Sequence, residues 1–515
     1  MMRYLLPVAS GLLLAAAFPL AAQGWLAWVA LVPLMLFVFN SDRRLQSFWG
    51  GLVAGAVKFF ILLLWIPAVL ISHGDMPEIL AWFAYVFLVL FLACYPAAAC
   101  LLVKHVIMRR GSSFFLLFPF VWISMELVQS ISPFGGFPWL LAGYTQSSHL
   151  PIAQIADITG VFGVSFLILA VNTALAWFIA RRADLKRACA PLAVVAAIVA
   201  AAILYGMVSL ERWNKISPEF RAAMLQGNIS VDDSAEVQKE KILTAYPRMA
   251  AALEPGRFDL LVLPESPSPL FFQHTGEYRL MLEELAKNYP LGLVFNNSRY
   301  EMDGEYARYF NSAFFLDNSG AVTGVYDKMH LVPFGEYIPL RGIFFFLEAI
   351  SREMGEFEAG DEYRIILLDG RPANAIICFE AVFPRLVRRF VDDGSGLILN
   401  LTNDGWYGDT AAPHQHLAIA SYRAVENRRY LLRATNSGIS AIVAPTGKIY
   451  AETDLLREAT SEGSFTFIYD KTVYSRYGDA FVFVCVIILL ASVVRAESAF
   501  IRKFIRSGGV NARRS

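Results

Sequence analysis

Residues 374–384 read NAIICFEAVFP: a short apolar run, then a thiol at Cys378, a carboxylate at Glu380 and a proline. Near-continuous apolar runs of this length read as strands buried on both faces, as in layered α/β folds. Two other stretches repeat the arrangement. LLVLPES (260–266) carries Glu265 just past an apolar run, and VYDKMHLVPFGEYIP (325–339) carries Lys328 just after a strand-like one. Strand ends and the loops after them are where α/β domains place their chemistry. Further strands are predicted at 221–225, 259–263, 291–295, 312–316, 373–377, 396–400, 439–444 and 464–468. Residues 413–430 read as a helix opened by Pro413.

Outside this region the composition changes. The chain has 515 residues, 56% hydrophobic and 17% charged, with 44 basic against 44 acidic side chains. Residues 1–210 hold 17 of the charged side chains and residues 211–475 hold 62. The latter share, about 23%, is close to the ~25% of ordinary globular domains. Two physical objects are therefore joined in series: an apolar membrane domain (1–211) and an α/β domain (212–475), followed by a last span and basic tail (476–515). Intrinsic disorder and a wholly soluble enzyme are excluded. The balanced charge argues against a nucleic-acid partner. Of five cysteines only Cys378 falls in 212–475, so no disulfide forms within that domain.

A helix needs about 20 apolar residues to cross the hydrocarbon core. Spans are predicted at roughly 4–22, 25–40, 49–72, 79–103, 113–130, 158–180, 190–210 and 477–494. Residues 3–23 also read as a signal peptide, and the charge pattern does not separate that from a retained span. Arg43, Arg44, Lys104, Arg109, Arg110, Arg181, Arg182, Lys186 and Arg187 fall in alternate loops, and the tail after 494 is basic. The intervening loops at 22–25, 73–78 and 131–157 contain no Lys or Arg. The excess of basic residues on the inner side then places both termini in the cytoplasm and the α/β domain on the outer face, the periplasm of a bacterium. Lys58, toward the inner half of the third span, is expected to snorkel. Glu126, near the outer end of the fifth, reads as an interfacial carboxylate reaching water or as a residue on the substrate side. Trp139 and Tyr144 suit a membrane interface, as anchors or as the rim of an entrance. So few intramembrane charges argue against an ion or solute transporter.

A free thiol has a pKa near ~8.5, and only its thiolate is a strong nucleophile. A carboxylate to take the proton and an ammonium to balance thiolate and oxyanion together supply what Cys378 needs. Most lone cysteines are small buried apolar residues, so its neighbours decide the reading. Glu265, Lys328 and Cys378, in that order and in PE, YDK and ICFE contexts, resemble the nitrilase superfamily of carbon–nitrogen hydrolases over about 218–470. The whole chain is similar to one membrane-integrated branch, the bacterial apolipoprotein N-acyltransferases. GGFPW (135–139), QGNI (226–229), KMHLVPFGEYIP (328–339), NDGWYG (403–408) and HQHLAIASYRAVENRR (414–429) carry that likeness.

The resemblance implies a multi-span helical membrane domain plus an αββα sandwich, with Glu265, Lys328 and Cys378 as the catalytic triad. It implies that Glu336 balances the lysine. Glu380 is expected beside Cys378 on one strand face, since alternate residues share a face. The backbone N–H of Phe379 is expected to join Lys328 at the oxyanion. Trp406 and Tyr407 read as turn packing on general grounds, and as a pocket wall on the resemblance. His414 and His416 diverge by about 200° on a helix, unlike the i, i+4 geometry of helical zinc ligands, so no metal is expected. Phe344, Phe345 and Phe346 are expected either in a core or on an arm that rests in the outer leaflet and admits lipid.

The chemistry implied is a two-step acyl transfer needing no cofactor. A membrane phospholipid acylates Cys378, and the α-amino group of a diacylglyceryl-modified N-terminal cysteine of an apolipoprotein takes the acyl chain. The enzyme is expected to work as a monomer. Two other readings of the residues stay open: a membrane-anchored nitrilase-type hydrolase with water as acceptor, and a non-catalytic receptor or transporter carrying a degenerate domain.

Overall fold

The computed structural model describes residues 4–19, 23–265, 268–333, 335–337 and 357–511. The chain divides into two compact units. One comprises residues 1–64, 82–207 and 479–515, and the other residues 65–81 and 208–478. The segment 65–81, assigned from sequence to the membrane domain, therefore groups with the α/β unit.

In the first unit the apolar stretches are helical. Among the described residues five helices are long and apolar enough to cross a membrane: Arg44–Leu62, Glu78–Arg110, Val161–Arg181, Leu185–Trp213 and Ala480–Ser498. Shorter apolar helices cover Leu5–Ala16, Gly24–Asn40 and Phe115–Ile131. Phe83, Phe87, Leu204, Ile487 and Val494 are all more than half exposed. Helices with large apolar outward faces belong in lipid. The predicted 49–72 span is not continuous: it ends at Leu62, and a separate helix, Ile66–Ser72, starts with Pro67 in its first turn, where proline is tolerated.

Four side chains in this unit depart from their predicted settings. Lys58 does not snorkel. It is buried, donates from Nζ to the Leu140 carbonyl at 2.8 Å and lies over the Phe59 ring. Glu126 does not reach water. Its Oε1 accepts from the Ala142 N–H at 2.9 Å and from Trp122 Nε1 at 3.2 Å. Trp139 and Tyr144 are each 1% exposed, so neither is an exposed interfacial anchor. Gln129 Nε2 donates to the carbonyls of Phe137 and Trp139. Irregular backbone among apolar helices must find its hydrogen bonds inside the protein. Lys58, Glu126 and Gln129 provide them for the 137–142 segment.

Among its described residues the second unit has twelve strands: β1 Phe220–Gln226, β2 Leu260–Val262, β3 Leu293–Asp303, β4 Tyr306–Leu316, β5 Val322–Asp327, β6 Ile366–Leu368, β7 Arg371–Ile377, β8 Ile398–Thr402, β9 Leu431–Thr435, β10 Ala441–Val443, β11 Ile449–Tyr450 and β12 Ala459–Phe465. They form two six-stranded sheets, ordered β12-β1-β2-β3-β4-β5 and β11-β10-β9-β8-β7-β6. The centre of each is parallel, β1-β2-β3 in one and β7-β8-β9 in the other. Parallel neighbours need crossover connections, usually helical. Helices Ala235–Ala251, Glu277–Ala286, Pro384–Asp392 and Ala412–Asn427 supply them. Ile242, Tyr246, Met249, Leu282 and Leu285 pack with Leu225, Leu261, Leu293, Phe295 and Phe314 to close the first helix–sheet layer. Between the sheets, Gln226 Oε1 accepts from Thr435 and Ser440 hydroxyls at 2.9 and 2.7 Å. The layers run helix, sheet, sheet, helix. The chain enters and leaves side by side, because Phe220 of β1 pairs with Phe465 of β12.

Candidate active site

β7 ends at Ile377, and Cys378 opens a short 3-10 turn through Val382 with φ at 48°. A non-glycine residue in the left-handed region costs of order 1–3 kcal/mol and persists only where its surroundings impose it. The turn therefore breaks the strand alternation at the thiol. That removes the argument by which Glu380 was expected to share a face with Cys378. Glu380 is instead fully buried and tied to backbone. Its Oε2 accepts from the Ile377 N–H at 2.8 Å. Its Oε1 accepts from the Tyr326 hydroxyl at 2.7 Å and the N–H groups of Met329 and His330 at 2.8 and 3.1 Å. One carboxylate thus ties the Cys378 turn to the loop that carries Lys328.

Lys328 follows β5 directly, and its side chain is 1% exposed. Its Nζ lies 2.8 Å from Glu336 Oε1 and 3.8 Å from Glu265 Oε1. Burial alone would lower the ammonium, but Glu336, Glu265 and Cys378 outweigh it and hold it above the usual lysine range. Lys328 is a fixed cation at any physiological pH. Glu336 folds back on its own loop, Oε2 accepting from the Val332 N–H at 2.7 Å.

Glu265, beyond β2, accepts from Asn311 Nδ2 at 2.8 Å and from the Asn403 N–H at 3.1 Å. The Cys378 thiol is close enough to couple to it electrostatically. Burial pushes its carboxyl above the usual range and Glu336 adds to that, while Lys328, Asn311 and Cys378 oppose. Burial and Glu265 likewise push the Cys378 thiol up, against Lys328 and Thr402. At rest the thiol holds its proton beside a carboxylate able to take it. His330 does not compete as a base, because burial and the Lys328 charge push it down to about 4.

Several contributors were not singled out from sequence. Asn311 bridges Glu265 and Glu336, with Nδ2 2.8 and 3.0 Å from them. An amide in the apolar run YFNSAFFL of β4 was its signal. Beneath Cys378 lies a buried polar chain. His416 Nε2 is 3.2 Å from the Cys378 carbonyl, and its Nδ1 is 2.9 Å from Asp404 Oδ1. Arg433 Nη2 reaches Asp404 Oδ2 at 2.6 Å, and Nη1 bonds to Asn400 Oδ1. His416 sits on the predicted helix, which runs Ala412–Asn427. Among the described residues no group of three or more His, Cys, Asp or Glu is placed to hold a metal ion.

Trp406 and Tyr407 lie on the 3-10 turn Asp404–Tyr407. Burial pushes Tyr407 well above the usual phenol range, and Cys378, Asp404 and Glu265 add to that. Its ring meets Trp65 at 4.9 Å, and Trp406 meets His73 at 5.0 Å. This is how segment 65–81 joins the α/β unit. Phe379 packs edge-on against Phe383 at 5.0 Å. Glu126 and Trp139 belong to the membrane unit. Phe344, Phe345 and Phe346 lie outside the described residues.

The family model described as Apolipoprotein N-acyltransferase N-terminal domain matches residues 10–174, and that described as Carbon-nitrogen hydrolase matches residues 221–466. An apolipoprotein N-acyltransferase of Geobacter metallireducens is 38% identical, covering 98% of this chain and 96% of its own length. That of Methylococcus capsulatus is 32% identical, covering 92% of each. The crystal structure of an amidase from Nesterenkonia sp. is similar at 21% identity and a TM-score of 0.38, covering 52% of this chain and 96% of the amidase. With likeness of this extent running through both its membrane helices and its nitrilase-type sandwich, the chain belongs to the apolipoprotein N-acyltransferase family.

Proposed function

We propose that the protein N-acylates apolipoproteins by a two-step transfer through a Cys378 thioester, with a membrane phospholipid as donor. The observation that carries this reading is the convergence of Glu265, Lys328 and Glu336 around one buried thiol in a member of this family. Because the thiol is protonated at rest, attack needs a base in the same step, and Glu265 is that base. The thiolate adds to the ester carbonyl. Lys328 and the Phe379 N–H balance the tetrahedral oxyanion. As the intermediate collapses, the C–O bond breaks and Glu265 returns its proton to the leaving lysophospholipid oxygen.

In the second half the α-amino group of a diacylglyceryl-modified cysteine enters. An α-amine has a pKa near ~8, so an appreciable fraction is neutral at neutral pH. It attacks the thioester, Glu265 takes the amine proton, the C–S bond breaks, and that proton passes to the Cys378 sulfur. Lys328 cannot shuttle protons, which leaves both transfers to one carboxylate. Trp406 and Tyr407 are assigned to the pocket wall. The basic-loop pattern supports a periplasmic active site with cytoplasmic termini, and we take the monomer as the working unit.

Full-length protein incubated with phospholipid and no acceptor should gain one acyl chain on Cys378, located by peptide mass analysis and released by neutral hydroxylamine. Acyl transfer that persists in Cys378→Ala overturns the covalent route. Free fatty acid as the sole product in the presence of a diacylglyceryl peptide favours the water-accepting hydrolase instead.

A further inference from the structure

A trans peptide is planar, and its C=O and N–H point in opposite directions. The Cys378 carbonyl and the Phe379 N–H belong to one such unit. Whatever grips that oxygen therefore aims the N–H. The group that grips it is His416, whose Nε2 lies 3.2 Å from the oxygen. A carbonyl only accepts, so this contact is a hydrogen bond in the tautomer that carries its proton on Nε2 and turns Nδ1, as acceptor, to Arg433 Nη2 at 3.1 Å. The ring has no latitude. It is fully buried, its Nδ1 lies 2.9 Å from Asp404 Oδ1, and Asp404 Oδ2 is held in turn by Arg433 Nη2 at 2.6 Å. Asp404 and Arg433 are themselves fully buried. The peptide being gripped needs holding, since Cys378 sits at φ 48°.

We propose that His416 is a positioning residue for the oxyanion hole: through the Cys378 carbonyl it orients the Phe379 N–H toward the acyl oxygen, with Asp404 and Arg433 fixing its ring. A hydrogen bond accepted at the carbonyl also polarises the peptide and strengthens the donor at its other end. The inference rests on the reading of Cys378 as nucleophile, and it gives a function to a histidine that touches no substrate.

Two reactions of the same thiol separate this role from general damage. Acylation by p-nitrophenyl butyrate builds a tetrahedral oxyanion, whereas alkylation by iodoacetamide displaces iodide at a saturated carbon and builds none. In full-length detergent-solubilised protein, His416→Asn keeps a polar side chain near Asp404 and Arg433 but leaves no N–H near the Cys378 carbonyl. It should lower the burst rate of nitrophenolate release by about 10²-fold, in line with the loss of an aligned oxyanion donor. KM and the alkylation rate should stay near wild type. His416→Gln, whose longer amide restores a donor near the Nε2 position, should recover most of the loss. An unchanged burst rate in His416→Asn, or equal falls in acylation and alkylation, overturns the proposal. If His416→Asn does not accumulate, Asp404→Asn loosens the same ring, and the same split between the two reactions decides. Cys378→Ala is run alongside: a burst in that variant defeats the nucleophile reading, whereas its silence with normal acylation in His416→Asn defeats only the positioning role.

Discussion

The Lys328 ammonium sits closer to Glu336 than to Glu265, 2.8 Å against 3.8 Å, and Asn311 donates to both carboxylates. Two carboxylates beside one cation do not share one task. In the proposed mechanism the nearer one balances the lysine, and the farther one is left able to exchange a proton. Glu336→Gln keeps the size of the side chain and removes its charge. Glu336 raises Glu265 electrostatically, so its neutralisation lets Lys328 pull Glu265 down. The base must be ionised to act, and activity falls as pH drops through its pKa. The acid limb of kcat/KM in Glu336→Gln should therefore move to lower pH, with a lower plateau. An acid limb that stays put would mean that the two carboxylates are not coupled.

Lys328→Arg preserves charge but replaces a compact ammonium with a planar fork that does not fit a space closed by Glu336, Glu265 and Cys378. Acylation should fall by about 10²-fold or more, as on loss of an oxyanion contact. Lys328→Met goes further by leaving two mostly buried carboxylates without their cation, which costs about 3–5 kcal/mol. Thermal unfolding in detergent measures it, and a melting temperature equal to wild type contradicts the burial argument.

Glu380→Gln tests the tie between the Cys378 turn and the lysine loop. All four partners of Glu380 donate to it, and an amide offers one acceptor and one further donor. Either the Ile377 N–H or the Tyr326–Met329–His330 group then faces a donor. The expected destabilisation is about 3 kcal/mol. Acylation and iodoacetamide alkylation of Cys378 should fall together, unlike the split expected for His416→Asn. Normal alkylation in Glu380→Gln would show that the turn holds itself.

In the membrane unit, Glu126→Leu strips the acceptor from the Ala142 N–H and Trp122 Nε1, at a cost of about 1–3 kcal/mol. Glu126→Gln keeps an acceptor there and should be far milder. Equal losses in detergent melting would mean that the negative charge itself is needed, with Lys58 as its counter-charge.

The proposed reactive cluster was legible because its members announce themselves. A thiol, a carboxylate and an ammonium each follow an apolar strand, and β7, β2 and β5 do end next to Cys378, Glu265 and Lys328. The supporting residues were hidden for separate reasons. Glu380 was read by strand alternation, which fails where the strand stops at Ile377 and the next residue takes a positive φ. Lys58 was read from hydropathy, which does not reveal that the Leu140 carbonyl, 82 positions away, waits for it. His416 was weighed only against a metal, since nothing local ties it to a carbonyl 38 positions earlier. The segment 65–81 was read as the end of one span, a loop and the start of the next, whereas the rings of Tyr407 and Trp406 and the Asp232 carboxylate, far along the chain, tie Trp65 and His73 to the α/β unit.

The pairing of β1 with β12 sets a timetable for biosynthesis. The first strand of the sandwich leaves the ribosome with one edge open, and the strand that covers it comes last. At synthesis rates of ~5–20 residues per second, roughly 240 intervening residues keep that edge bare for about 10–50 s. Bare strand edges recruit other chains. A nascent or truncated product that stops short of Phe465 is thus a target for chaperones and proteases, even with Glu265, Lys328 and Cys378 already made.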